Sequence, residues 1–198
     1  MRPLRLTLLS LLVLVATLTP AASAMAEEMV EDTFVFPQDV LVTQFTDSWG
    51  DARSQGRSHR GTDLMAPKGT PVYAIADGLV TIVKSGDRAG RWVAVLHDDG
   101  WESWYMHMNN DNPGTDDGDA EWSLTIAPGV SEGERVMAGE LLGWVGDSGN
   151  AEPSSAHTHF ELHRNGLALN PYPYLVDAYE RAAADAAEDI LPALPHLI

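Results

Sequence analysis

Apolar residues along this chain come in short runs broken by glycine, aspartate, asparagine and proline, and those runs predict strands. Residues 72–76 (VYAIA) and 79–83 (LVTIV) are two such runs, with Asp77-Gly78 read as a tight turn between them. Residues 91–97 and 101–108 flank an Asp98-Asp99-Gly100 turn and predict a second hairpin. Further strands are expected at 123–128, 140–145 and 157–162, and Asn165-Gly166 marks another hairpin turn. Residues 50–58 and 109–122 are polar and read as loops. Helical periodicity is almost absent until residues 175–190, which are rich in alanine and acid and predict a short helix. The pattern is that of a mainly β protein of antiparallel sheets with a C-terminal helix. No repeat recurs at a fixed period.

The first residues follow a different pattern. Arg2 and Arg5 precede a solid apolar run over residues 6–18, then Ala22-Ser23-Ala24. A charged start, an apolar stretch and an A-x-A site are the features of a secretory signal, here residues 1–24, with Ala26 a second possible cleavage point. The run is short for a membrane span, which takes about 20 residues, so no stable membrane insertion is expected after cleavage. Residues 25–36 read as a loosely held acidic leader, 37–176 as one folded domain, and 177–198 as helix and tail.

Composition narrows the chemistry. The 198 residues suffice for one domain with a core. They include no cysteine, which removes disulfides, thiolate metal sites, thiol nucleophiles and a lipid-anchored cysteine. The formal net charge is -17, from 12 basic and 29 acidic residues. Loss of residues 1–24 removes Arg2 and Arg5, leaving 10 against 29, or -19. Nucleic acid and anionic membrane would both repel such a chain.

The candidate chemistry lies in histidines. In His157-Thr158-His159-Phe160-Glu161-Leu162, an extended backbone turns His157, His159 and Glu161 to one face and Thr158, Phe160 and Leu162 to the other. A helix would spread positions i and i+2 roughly 200° apart. His59 and Asp63 are spaced evenly for a strand, and Gly61 between them leaves room for the backbone to approach a ligand closely. A catalytic zinc takes three protein ligands and keeps one position open; His59, Asp63 and one histidine of the 157/159 pair would supply them. His107, at a strand end, can reach the same place. His97 reads as structural, His163 as peripheral, and His196 lies in the tail. The acids of residues 111–121 lack the spacing of an EF-hand loop and read as solvated.

Taken together, HRGTDLMAPKGTPVYAIADGLV, WYMHM and GWVGDSGNAEPSSAHTHFELHRNGLALNPYPYL resemble the M23 family of zinc metallopeptidases, the lysostaphin-like or LytM-type peptidoglycan endopeptidases. The resemblance runs from about Phe45 to Leu175, with several motifs in the right order. It implies a barrel-sandwich hybrid fold, one Zn2+ per chain held by His59, Asp63 and His159, and catalytic roles for His107 and His157. It further implies a monomeric enzyme in the periplasm or cell wall that cuts peptidoglycan stem or cross-link peptides. Glu161 is a candidate to orient a ligand imidazole. Residues 109–122 look like an insertion, and Glu152 stands where many members have small residues. Two rival expectations are a non-catalytic peptidoglycan-binding or amidase-activating module of the same fold, and glycan cleavage by a carboxylate pair, for which no placed pair is visible.

Overall fold

A computed structural model describes residues 34–98 and 100–190. The expected signal peptide, most of the expected leader, Asp99 and residues 191–198, with His196, lie outside the described residues.

Seven strands form the main antiparallel sheet: β3 (Thr62–Met65), β5 (Gly78–Gly86), β6 (Gly90–His97), β7 (Trp101–Met108), β8 (Arg135–Val136), β10 (His157–Arg164) and β11 (Leu167–Leu169). Their order is β11-β10-β7-β6-β5-β8, and β3 also pairs with β10. Short ribbons complete the architecture: β1 (Ala52–Arg53) with β2 (Arg57–Ser58), and β4 (Pro71–Tyr73) with β9 (Leu141–Trp144). The mainly β, antiparallel expectation therefore holds, as does the helix, α1 (Tyr172–Ile190).

Strand β10 decides the arrangement. Thr158, Phe160 and Leu162 are fully buried, and they face α1 and the aromatic residues beneath the sheet. Tyr105 packs edge-on to Phe160 at 5.4 Å. Phe34 packs against Trp101 and Tyr174, and Phe36 against Phe45 and Tyr179. Beside them His97 bonds Ser103 Oγ at 2.8 Å and the Asp77 carbonyl at 3.0 Å, the structural part expected of it. The opposite face of β10 carries the histidines.

Four local expectations differ from the structure. Asp77-Gly78 does not close a hairpin, because β4 pairs with β9 and β5 pairs with β6 and β8. Gly78 instead opens β5 where a Cβ would stand 2.6 Å from the Leu96 carbonyl and from Val95; close strand contact, not a turn, requires glycine there. Residues 123–128 are not a strand: Trp122–Leu124 is a 3-10 turn and Ile126 makes a single bridge to Gly143. The helix begins three residues early, because Asn170 Oδ1 accepts from the Tyr172 N–H at 3.0 Å and Pro171 follows the cap. Its Leu175 and Ala178 share the core with Phe34 and Phe36, so the end of the acidic leader is not loose.

The 109–122 loop is also better anchored than a solvated segment. Asp111 is buried and bonds Lys68 at 2.7 Å, while Asp116 and Asp147 bind the same ammonium. Burial disfavours the Lys68 charge, but these three carboxylates outweigh it and raise the pKa. Asp111, Asp116 and Glu152 converge closely enough for a metal; the Lys68 ammonium already neutralises the first two.

Candidate functional site

The register of β10 against β3 sets His159 directly opposite Asp63 and His157 opposite Met65. Residues 96 apart in sequence thus become cross-strand neighbours. Gly61 makes this approach possible. A Cβ there would lie 2.4 Å from the Phe160 carbonyl and 2.8 Å from His159 Cε1, so the room expected for a ligand is taken by β10 itself. Gly61→Ala is expected to push β3 from β10 and lower stability by roughly 1–3 kcal/mol, read as a fall in Tm. An unchanged Tm would show that the seam yields without cost.

His59 Nε2, Asp63 Oδ1 and His159 Nδ1 converge. The separations are 3.0 Å from His59 to Asp63, 2.9 Å from His159 to Asp63, and 2.9 Å between the two rings. Each imidazole is fixed by an acceptor on its other nitrogen. His59 Nδ1 donates to the Ser48 carbonyl at 2.9 Å, and His159 Nε2 donates to Glu161 Oε1 at 3.0 Å. Those acceptors select the tautomers whose lone pairs point at the common centre. Asp63 Oδ2 accepts from Arg53 at 2.7 Å, which leaves Oδ1 for the centre.

The charges agree with a cation site. Burial would raise the Asp63 pKa, but the close contacts with His159 and His59 outweigh it and hold the carboxyl far below its usual range. Glu161 is likewise half-buried, yet the bonds from His159 and His163 take it down to about 2. Burial disfavours a charged His159, and the two carboxylates overcome that and raise its pKa. Two half-buried carboxylates call for positive charge between them, which a protonated His159 or a metal ion supplies. Two nitrogens and one oxygen are an ordinary zinc donor set, so the residues present fit the ion.

Two further imidazoles border the centre. His157 Nδ1 donates to the Ser155 carbonyl at 2.8 Å, and its Nε2 lies 3.8 Å from Asp63 Oδ1. His107 Nδ1 donates to the Ser148 carbonyl at 2.8 Å. The His107 ring centroid is 5.1 Å from that of His157 and 6.0 Å from that of His159. Burial, with the His157 charge, pushes the His107 pKa down to about 4. His107 also has φ of 61°, a left-handed backbone that costs a non-glycine residue energy and recurs at functional positions.

The five candidate residues therefore line one open groove of about 1050 Å³. His163 lies nearer than expected: its Nε2 donates to Glu161 Oε2 at 2.7 Å, and its ring stacks on Trp104. Its place on the face of His157 and His159 was the available signal. Arg53 and the anchoring carbonyls of Ser48, Ser148 and Ser155 were not legible, since a serine carbonyl carries no sequence signature.

Comparison with known proteins adds the following. Residues 57–120 match the family described as Peptidase family M23. A DD-carboxypeptidase/endopeptidase of Neisseria meningitidis is 32% identical over 131 residues, 66% of this chain and 26% of that protein. An L-Ala--D-Glu endopeptidase of Bacillus subtilis is 32% identical over 149 residues, 69% of this chain and 40% of that protein. The chain thus spans well under half the length of either relative. A zinc-containing peptidase from Vibrio cholerae superposes with a TM-score of 0.55 at 25% identity, covering 69% of this chain and 38% of that one.

Proposed function

Because the chain belongs to peptidase family M23, we propose that it is an exported zinc-dependent endopeptidase that hydrolyses peptide bonds in peptidoglycan stem or cross-link peptides. The observation that carries the reading is the convergence of His59 Nε2, Asp63 Oδ1 and His159 Nδ1 within 3.0 Å of one another, with His107 and His157 beside them. His59, Asp63 and His159 would hold one Zn2+, which supplies a Lewis acid for the scissile carbonyl and lowers the pKa of water from 15.7 to about 7.

The chain's own residues do the rest. With Nδ1 donating to Ser148, His107 keeps a lone pair on Nε2, and burial holds the ring neutral, so it is assigned as acceptor of the water proton. His107 Nε2 then returns that proton to the leaving amine, and His157, held by Ser155 through Nδ1, is placed to hydrogen-bond the developing oxyanion through Nε2 when that nitrogen carries a proton. Arg53 keeps Asp63 from turning its second oxygen inward.

Glu161 acts through His159 as a positioning residue. Glu161→Ala is expected to weaken zinc binding about 10–100-fold, measured by competition with a chromogenic chelator. Unchanged affinity would reduce Glu161 to a partner of His163.

Export is supported by residues 1–24, and among the described residues no helix is long and apolar enough to cross a membrane. The test is direct. Zinc-loaded protein incubated with purified peptidoglycan should release peptides with new amino termini, identified by mass, and a chelator should stop it. Release of glycan fragments alone, or no release by fully zinc-loaded protein, would overturn the reading.

A further inference from the structure

The chain is strongly acidic, yet its groove is not. Arg53, Arg57, Arg60 and Arg88 line it, against only two carboxylates, Asp63 and Glu161. Both carboxylates are committed, Asp63 to His59, His159 and Arg53, and Glu161 to His159 and His163. Outside the groove, Arg91 bonds Ala120 and Thr125 and Arg164 lies over Trp101, while Arg135 is paired with Asp98, Arg181 with Asp177, and Lys68 with three aspartates. Three of the groove arginines are not. Among the described residues Arg57 donates only to Ser54 Oγ, at 3.1 Å, and its buried Nε finds no acceptor. Arg60 and Arg88 are exposed, and among the described residues their side chains make no hydrogen bond or ion pair. With 29 acidic residues in the chain, three unneutralised guanidinium groups in one groove point to a ligand that brings its own negative charge.

Their positions say where that charge sits. Arg57 and Arg60 belong to the segment that leads into His59 and Asp63. Arg88 lies in the β5–β6 turn, next to Ala89, whose carbonyl accepts from the His107 N–H at 2.9 Å. Arg57 and Arg60 thus neighbour the proposed metal donors in sequence, and Arg88 neighbours the backbone that holds His107.

We propose that Arg57, Arg60 and Arg88 are specificity residues that bind free carboxylates of the peptide on either side of the scissile bond, so that the groove selects anionic over neutral peptides. This rests on the peptidase reading above. A planar guanidinium matches a carboxylate with two parallel N–H···O bonds. The basic groove also offsets, at short range, the repulsion that the net charge of -17 exerts on an anionic substrate. The DD-carboxypeptidase/endopeptidase and the L-Ala--D-Glu endopeptidase carry different bond specificities in their names, which leaves room for the groove walls to set specificity.

The test uses two synthetic stem-peptide dimers of one sequence, one with free carboxylates and one with those groups as carboxamides. Cleavage is measured with the zinc-loaded protein, and binding with zinc-loaded His107→Ala, whose turnover is slowed about 10²–10⁴-fold. The carboxamide probe should bind about tenfold more weakly and show a raised KM with little change in kcat. Arg57→Gln, Arg60→Gln and Arg88→Gln should weaken binding of the carboxylate probe alone, and added salt should erase the preference. Equal binding of both probes, or equal weakening of both by the arginine variants, would overturn the proposal. If binding discriminates but neither probe is cut, the carboxylate sites stand and the peptidase reading fails.

Discussion

His159→Ala and Asp63→Ala are each expected to lose zinc and peptidoglycan cleavage together, with turnover falling to background. His159 Nδ1 and Asp63 Oδ1 are two of the three donors that meet within 3.0 Å, and two remaining donors do not make a catalytic site with three protein ligands. The loss goes beyond one bond. Without Asp63, Arg53 loses its carboxylate partner and adds an unpaired charge at 2.7 Å from where Oδ2 stood. Without His159, Glu161 keeps only His163. Metal content by emission spectroscopy, read beside cleavage, decides the matter. Full zinc in either variant would remove that residue from the donor set.

His107→Ala should separate the two properties: zinc content is retained and kcat falls about 10²–10⁴-fold, the range for removing a general base or acid. His107 is not among the three converging donors, yet its ring lies 5.1 Å from His157. The substitution also has a signature in stability. Burial lowers the folded-state pKa from 6.5 to about 4, so on acidification the unfolded chain takes up this proton first. The wild type therefore loses stability as pH falls from about 6.5 toward 4, and His107→Ala should lose less over that window. A variant that keeps wild-type turnover would reassign the proton transfer to His157 alone. One with the same acid sensitivity as the wild type would place the titration elsewhere.

Some of this was legible because it depends on neighbours in sequence. The alternation from His157 to Leu162 determines which side chains share a face of β10, and Asn165-Gly166 closes its hairpin with φ of 53° and 75°. The spacing of His59 and Asp63 kept both available to one centre. Local reading failed where one signal serves two causes. Asp77-Gly78 has the composition of a turn, but Gly78 is there because Leu96 and Val95 press on it. The acids of residues 109–122 look solvated until Lys68, 43 residues before Asp111, is placed among them.

The sequence by itself determined the β class, the candidate donors and the side of β10 on which they project, since strand alternation and residue chemistry act over a few positions. Only the tertiary structure decided that His159 sits across from Asp63, that backbone carbonyls aim each histidine lone pair, and that three arginines face the groove without acidic partners. Those facts depend on strand register and on contacts between residues far apart in the chain, where packing and charge balance choose among arrangements that local pattern leaves equal.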